Sequence, residues 1–267
     1  MNNMNNIVSL ILLAALHGAV AAQAPTQTRL PALAAGAEEL AALPGGGYLA
    51  LGQRALRLLG ADGRERASLA VRGEQLDLRS TEGGALAVLV DADSERVLPV
   101  RVDLRAGALT ALPALPDAGF GIEAACLYRD AQRHDHVFVV GKDGQAQQWL
   151  LGGEARLVRR LALPAGVEHC RVDDAHATLF VAEEGFGLWA YGADAEGPPQ
   201  RSAVALRAPY GKLKSDVKAL AVVPGGVAAL DEKGALHAWR RDGARWRAVP
   251  SRAARSPADA GAAAGLL

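Results

Sequence analysis

Val137-Phe-Val-Val-Gly-Lys-Asp-Gly-Gln-Ala-Gln-Gln-Trp149, followed by Glu168-His-Cys-Arg-Val-Asp-Asp174 and Leu179-Phe-Val-Ala-Glu-Glu-Gly185, is the stretch whose reading decides the fold. Each half is a short apolar strand, a glycine-bearing turn and a second strand reaching a tryptophan, Trp149 or Trp189. The polar residues fall at the turns, where binding groups usually sit.

The rest of the chain repeats this unit more weakly. Apolar strands begin near Tyr48, Leu86, Val137, Leu179 and Val227, in steps of 38, 51, 42 and 48 residues. Partner strands follow at 55–59, 97–102, 146–151, 187–191 and 235–239, after turns such as Asp62-Gly63, Asp143-Gly144 and Lys233-Gly234. Glycine there supplies the positive φ of a tight hairpin. Several strands recurring every 40 to 50 residues are the pattern of propeller blades. A β-sandwich also has short alternating strands, but its turns come every 8 to 12 residues without the longer period. The expected fold is all-β, a propeller of about five recognisable blades.

The chain has 267 residues, of which 50% are hydrophobic and 22% charged, enough apolar material for one globular domain. Its 29 basic and 29 acidic residues cancel, which argues against a general nucleic-acid binder. Residues 1–24 read as a signal peptide, with an apolar run from Ile7 to Leu16 and small residues at Ala19-Val-Ala21 and Ala22-Gln-Ala24. A membrane anchor is the alternative, but His17 and Gly18 interrupt a run already short for a span. The expected location is therefore periplasmic or secreted, with no membrane attachment after cleavage. Residues 25–38 read as an extended arm, 39–250 as the propeller, and the Ala-rich 251–267 as a disordered tail.

Cys126 and Cys170 allow one disulfide or two buried thiols, and their spacing does not choose between them. No nucleophile elbow, phosphate-binding glycine loop, His-Glu-x-x-His or Cys-x-x-Cys motif is present. Asp91-Ala-Asp93-Ser-Glu95 lacks the glycine and bidentate glutamate of a calcium loop and reads as a solvated turn. His134-Asp135-His136 reads as polarity in an exposed turn. His169 neighbours Glu168, and regular alternation sends the two to opposite faces. Lys142, Glu168, Asp173, Asp174, Glu183 and Glu184 fall near strand ends of two successive units, where propeller side chains converge on a rim or channel. Carboxylates gathered there are hard-oxygen ligands suited to calcium.

At these residues the chain resembles the β-propeller (alkaline) phytases, six-bladed calcium-dependent enzymes that remove phosphate from myo-inositol hexakisphosphate. The likeness rests on Cys126-Leu-Tyr-Arg-Asp130, Gly141-Lys-Asp-Gly144 with Gln148 and Trp149, and Glu168 through Leu188-Trp189. It is strong over 120–192 and faint over 40–245. The resemblance implies that Lys142 binds substrate phosphate and that Glu168 and Glu184 bind calcium. Glu123 stands where the family has a ligand tyrosine and still offers oxygen. In Asp216-Val-Lys-Ala-Leu220 the family has Asp-x-Glu-Gly-Leu, so Lys218 marks a lost calcium ligand. A second phosphate-binding lysine near Gln53, an arginine near Asp93 and an Asp-Pro calcium site near Glu39 are also missing. No residue is assigned as a catalytic group.

This pattern is most similar to the incomplete amino-terminal domain of tandem-domain phytases, which implies an incomplete six-bladed ring and a complete phytase domain as partner. Three functions follow as expectations. The first is a degenerate phytase-like propeller with weak or no hydrolysis, binding phytate or assisting a complete phytase. The second is a working calcium-dependent phosphomonoesterase of the 3-phytase type with a reduced site. The third is a non-enzymatic interaction platform, for which Lys218 and Arg240-Arg241 offer surface charge.

Overall fold

The computed structural model describes residues 36–249. The expected signal peptide, the part of the expected arm before residue 36 and the expected tail lie outside the described residues.

Twenty strands form five antiparallel sheets of four, each built from consecutive strands in simple meander order. The first holds β1 (Ala37–Ala42), β2 (Tyr48–Gly52), β3 (Ala55–Leu59) and β4 (Glu65–Ala70). The second holds β5 (Gly73–Thr81), β6 (Gly84–Asp91), β7 (Arg96–Asp103) and β8 (Ala108–Ala111). The third holds β9 (Ile122–Arg129), β10 (Asp135–Gly141), β11 (Gln145–Leu150) and β12 (Arg156–Ala162). The fourth holds β13 (Val167–Asp173), β14 (Thr178–Glu183), β15 (Gly187–Gly192) and β16 (Ser202–Leu206). The fifth holds β17 (Val217–Val223), β18 (Gly226–Asp231), β19 (Leu236–Asp242) and β20 (Arg245–Val249). β1 takes in Ala37 and Glu38, so the domain begins two residues before the expected boundary at 39.

The apolar runs that set the sequence period are the second strands. β10 and β18 are buried almost throughout, because a second strand has a neighbouring strand on each side and a packed sheet over its face. The fourth strands read differently: β12 alternates exposed and half-buried residues along its length, as an edge with one wet face must. Four apolar cores join the sheets in sequence. Leu51 packs with Leu89 between the first and second, and Val88 with Val137 between the second and third. Phe138 packs with Leu179 between the third and fourth, and Phe180 with Val227 between the fourth and fifth. Among the described residues no core of this kind joins the fifth sheet to the first.

The first strands of successive sheets pack against one another in the order β1, β5, β9, β13, β17 and line the ring's axis. The question left open by the cysteine spacing is answered here: Cys126 of β9 and Cys170 of β13 form a disulfide, with Cα atoms 5.9 Å apart. His136 departs from expectation. It lies in β10 at 6% exposure, with Nε2 3.3 Å from Asp130 Oδ2, while His134 Nδ1 lies 3.0 Å from the same oxygen. The apolar strand starts two residues earlier than its Val-Phe-Val-Val run suggests, which carries His136 under the neighbouring Tyr128 ring. Asp91 behaves as the sequence indicated. It closes its own turn, accepting from Asp93 N at 3.2 Å and from Ser94 Oγ at 2.7 Å.

The disulfide closes a loop of 44 residues, for which chain-entropy reasoning gives about 4 kcal/mol. The Cys126→Ala/Cys170→Ala variant should therefore unfold at clearly lower denaturant concentration. An unchanged midpoint would show that the bond constrains the unfolded chain little.

Candidate functional site: the mouth of the channel

The channel encloses about 940 Å³ and is bordered by residues of the first strands. In each of those strands the pairing register slips near the start. The slips lie between Ala37 and Glu39, Glu74 and Asp77, Ile122 and Ala124, Val167 and His169, and Val217 and Ala219. The residues left over at these bulges are Glu38, Gln75 with Leu76, Glu123, Glu168 and Lys218, and every one of them borders the channel. A bulge re-aims side chains that regular alternation would turn into the sheet-to-sheet packing. Five corresponding positions thus form a collar, of which three carry carboxylates, one an amide and one an ammonium.

The turns after the second strands stand at the same end. Their first residues are Gln53, Ala92, Lys142, Glu184 and Glu232. Backbone hydrogen bonds fasten them to the collar: Gly166 N donates to Lys142 O at 2.7 Å, and Glu184 N to Gly166 O at 2.8 Å. Gly185 N donates to Asp216 Oδ1 at 2.7 Å, and Glu232 N to Asp216 O at 3.0 Å. Asp216 also holds Arg207 in an ion pair. The Lys142 side chain is exposed on this rim.

Burial pushes the Glu168 carboxyl above its ordinary range, and the like charges of Glu184, Glu123, Asp216 and Glu232 push it further. Carboxylates from three sheets therefore act on one glutamate. His169 also borders the channel, against the expectation that it turns away from Glu168. The slip between Val167 and His169 is the cause, because it cancels the alternation between these neighbours. The imidazole is held down to about 4 by burial first, then by the charges of Arg171 and Lys218.

The six residues expected to converge divide into groups. Glu168, Glu184 and Lys142 lie at the mouth, and Glu123 joins Glu168 there. Asp173 and Asp174 sit at the far end of β13. Asp173 caps a 3-10 turn at Asp174–His176, accepting from Ala175 N at 3.1 Å with His176 Nδ1 at 2.8 Å. Asp174 accepts from Arg79 Nε at 2.7 Å. Glu183 is occupied by Trp189, whose Nε1 donates to it at 2.6 Å.

Arg79 had no signal in the sequence. Its guanidinium donates to Asp174, to Asp77 at 3.2 Å, and to the carbonyls of Leu127 at 2.5 Å and Val172 at 3.0 Å. Asp77 in turn accepts from Leu127 N at 2.9 Å, so one buried cation ties β5, β9 and β13 together. Glu39, where a calcium site was looked for, fastens the first sheet to the second instead. Its carboxylate accepts from Gln75 N at 2.7 Å and Leu76 N at 2.8 Å, the N–H groups exposed by the β5 bulge.

The mouth offers oxygen donors of the kind calcium takes, but they do not gather as a calcium site requires. Among the described residues no three acidic, histidine or cysteine side chains converge closely enough to hold a metal ion. A fifth collar position carries Lys218, whose charge opposes a cation.

Four-stranded meanders packed radially about a channel define a β-propeller. Residues 123–255, about half of the chain, match the family model described as Phytase. With the fold and the motif blocks around Lys142 and Glu168, this places the chain in the phytase-type β-propeller family. No curated protein matches the chain. Among solved structures it is similar to a candidate 6-phosphogluconolactonase from Bacteroides uniformis, with TM-score 0.57 and 10% identity over 80% of this chain and 68% of that one. It is similar also to BBS1N, solved in complex with ARL6DN, with TM-score 0.52 and 11% identity over 77% of this chain and 64% of that one. A protein of unknown function from Bacteroides caccae gives TM-score 0.52 and 13% identity over 75% and 70%. These likenesses concern the fold.

Two predictions follow from the mouth and the floor. Glu168 gains a proton more readily folded than unfolded, so between its ordinary value and its raised one stability falls as pH rises. Glu168→Gln should stabilise the fold at pH 7 by less than about 1 kcal/mol because solvent screens the site, read as a slightly higher melting temperature, and remove this slope. A lower melting temperature at pH 7 would mean that Glu168 is paired. Arg79→Met should cost about 3–5 kcal/mol in denaturant unfolding by stranding Asp77 and Asp174, and an effect below about 1 kcal/mol would deny the hub.

Proposed function

We propose that this propeller binds phosphate esters of the inositol hexakisphosphate type at the channel mouth and hydrolyses them weakly or not at all. The observation that carries the reading is the collar: the family's oxygen chemistry persists at Glu123 and Glu168, while the corresponding position on β17 carries Lys218. Lys142 on the rim supplies a phosphate-binding charge, and Glu184 stands beside Glu168. Residues 1–24 support export to the periplasm or beyond, where a complete phytase would be the partner that finishes the reaction.

A second reading, a working phosphomonoesterase with a reduced calcium site, is favoured by the proton affinity of Glu168. Four like charges around one carboxyl are what a divalent cation would relieve. In it, Glu168, Glu184 and Glu123 would have to draw closer together than they stand in this structure to hold the metal, which supplies charge neutralisation when bound. Lys142 would orient the phosphate.

Phytate hydrolysis with calcium and with chelator separates the two. The degenerate reading expects turnover far below the roughly 1–1000 s⁻¹ of ordinary enzymes, and no rise in melting temperature with millimolar calcium. Ordinary turnover that is abolished by Glu168→Ala and by Glu184→Ala would replace it with the second reading.

A further inference from the structure

Just inside the mouth, the channel wall carries a group of cationic and hydrogen-bonding side chains that the calcium chemistry does not use. His169 and Arg171 stand two apart on β13, so the pleat puts both on one side of the strand. Lys218 reaches the same wall from the β17 bulge, and all three border the channel. Its volume of about 940 Å³ lies at the upper end of small-molecule pockets, roughly 300–1,000 Å³.

The positive charge here is not spent internally. Arg171 donates Nη1 to Cys170 O at 2.9 Å and Nη2 to Leu76 O at 3.1 Å, which fixes the guanidinium while leaving other N–H groups free. Glu39, an acid on which Arg171 acts, already accepts from Gln75 N and Leu76 N with its two oxygens. Among the described residues neither Arg171 nor Lys218 forms an ion pair, and His169 has no hydrogen-bond partner. The two cations act on the imidazole together, which places the three groups within electrostatic reach of one another. A fixed guanidinium, an exposed ammonium and a ring N–H around one cavity are the donors that hold an oxyanion.

We propose that His169, Arg171 and Lys218 form a metal-free site for a phosphate monoester, in which the Lys218 ammonium supplies the charge a cation would supply beside a glutamate. This rests on the reading of the mouth as a phosphate-ester site and specifies how such a ligand is held without metal. The collar carboxylates repel the phosphate, so the ligand sits toward the cations and in one orientation.

Titration calorimetry of the full chain in EDTA tests it, with inositol hexakisphosphate and inorganic phosphate as separate arms. Melting curves establish that each variant is folded. The hexakisphosphate should bind in EDTA and inorganic phosphate more weakly at the same site, displacing it. Lys218→Ala should weaken binding at least about tenfold, or about 1.4 kcal/mol, and His169→Ala severalfold. Lys218→Glu should abolish binding in EDTA and make the melting temperature rise with calcium. Binding that requires calcium in the unaltered protein, or binding in EDTA unmoved by Lys218→Ala and His169→Ala, overturns the metal-free site and leaves the phosphate-ester reading standing. Absence of binding in both calcium and EDTA overturns both.

Discussion

The register slip in each first strand is the constraint on which the channel depends. A first strand must give side chains to the cores on its two faces and still present polar groups to the axis, and strict alternation cannot serve three directions. One surplus residue at the same level in every sheet resolves this, at the cost of unpaired backbone N–H groups. The second sheet shows how that cost is met. Gln75 N and Leu76 N, freed by the longest slip, are taken by the Glu39 carboxylate of the first sheet. Farther along the axis, Arg79 does the equivalent service between Asp77 and Asp174. The polar axis is thus a set of cross-links between sheets as much as a surface for ligands.

The fold was legible where burial is complete. Val137-Phe-Val-Val and Leu179-Phe-Val-Ala lie between two sheets and two neighbouring strands, so no polar residue interrupts them and their spacing exposes the repeat. The first strands were hidden for the opposite reason. β5 reads Gly-Glu-Gln-Leu-Asp-Leu-Arg-Ser-Thr, in which axis-facing polar residues and a bulge erase the period of two. His136 was misplaced because a histidine beside Asp135 looks like turn chemistry, although Asp130 satisfies its Nε2 within the fold.

The site was legible in its turns and obscure in its strands. Lys142 and Glu184 open glycine-bearing turns, and Glu168 stands at the start of β13, so each sits where a strand end can be read. Asp173 and Asp174 satisfy the same description, yet they serve a turn cap and an ion pair with Arg79, because a strand has two ends and the sequence does not say which one meets the ligand. His169 and Arg171 were passed over because alternation assigned His169 to the face opposite Glu168, and the slip that reverses this has no residue signature of its own.

Apart from the one that Gly185 N gives to the Asp216 carboxylate, the rim hydrogen bonds described above use main-chain atoms: Lys142 O, Gly166 N and O, Glu184 N and Glu232 N. Lys142, Glu184 and Glu232 take part through the main chain, so their side chains could change without loosening the join between sheets. The join between sheets therefore does not depend on which side chain is displayed at the mouth, and a glutamate can become a lysine there while these bonds remain. A ring built this way can keep its shape while its chemistry drifts from metal ion to ammonium, so the two are separately heritable properties of one chain.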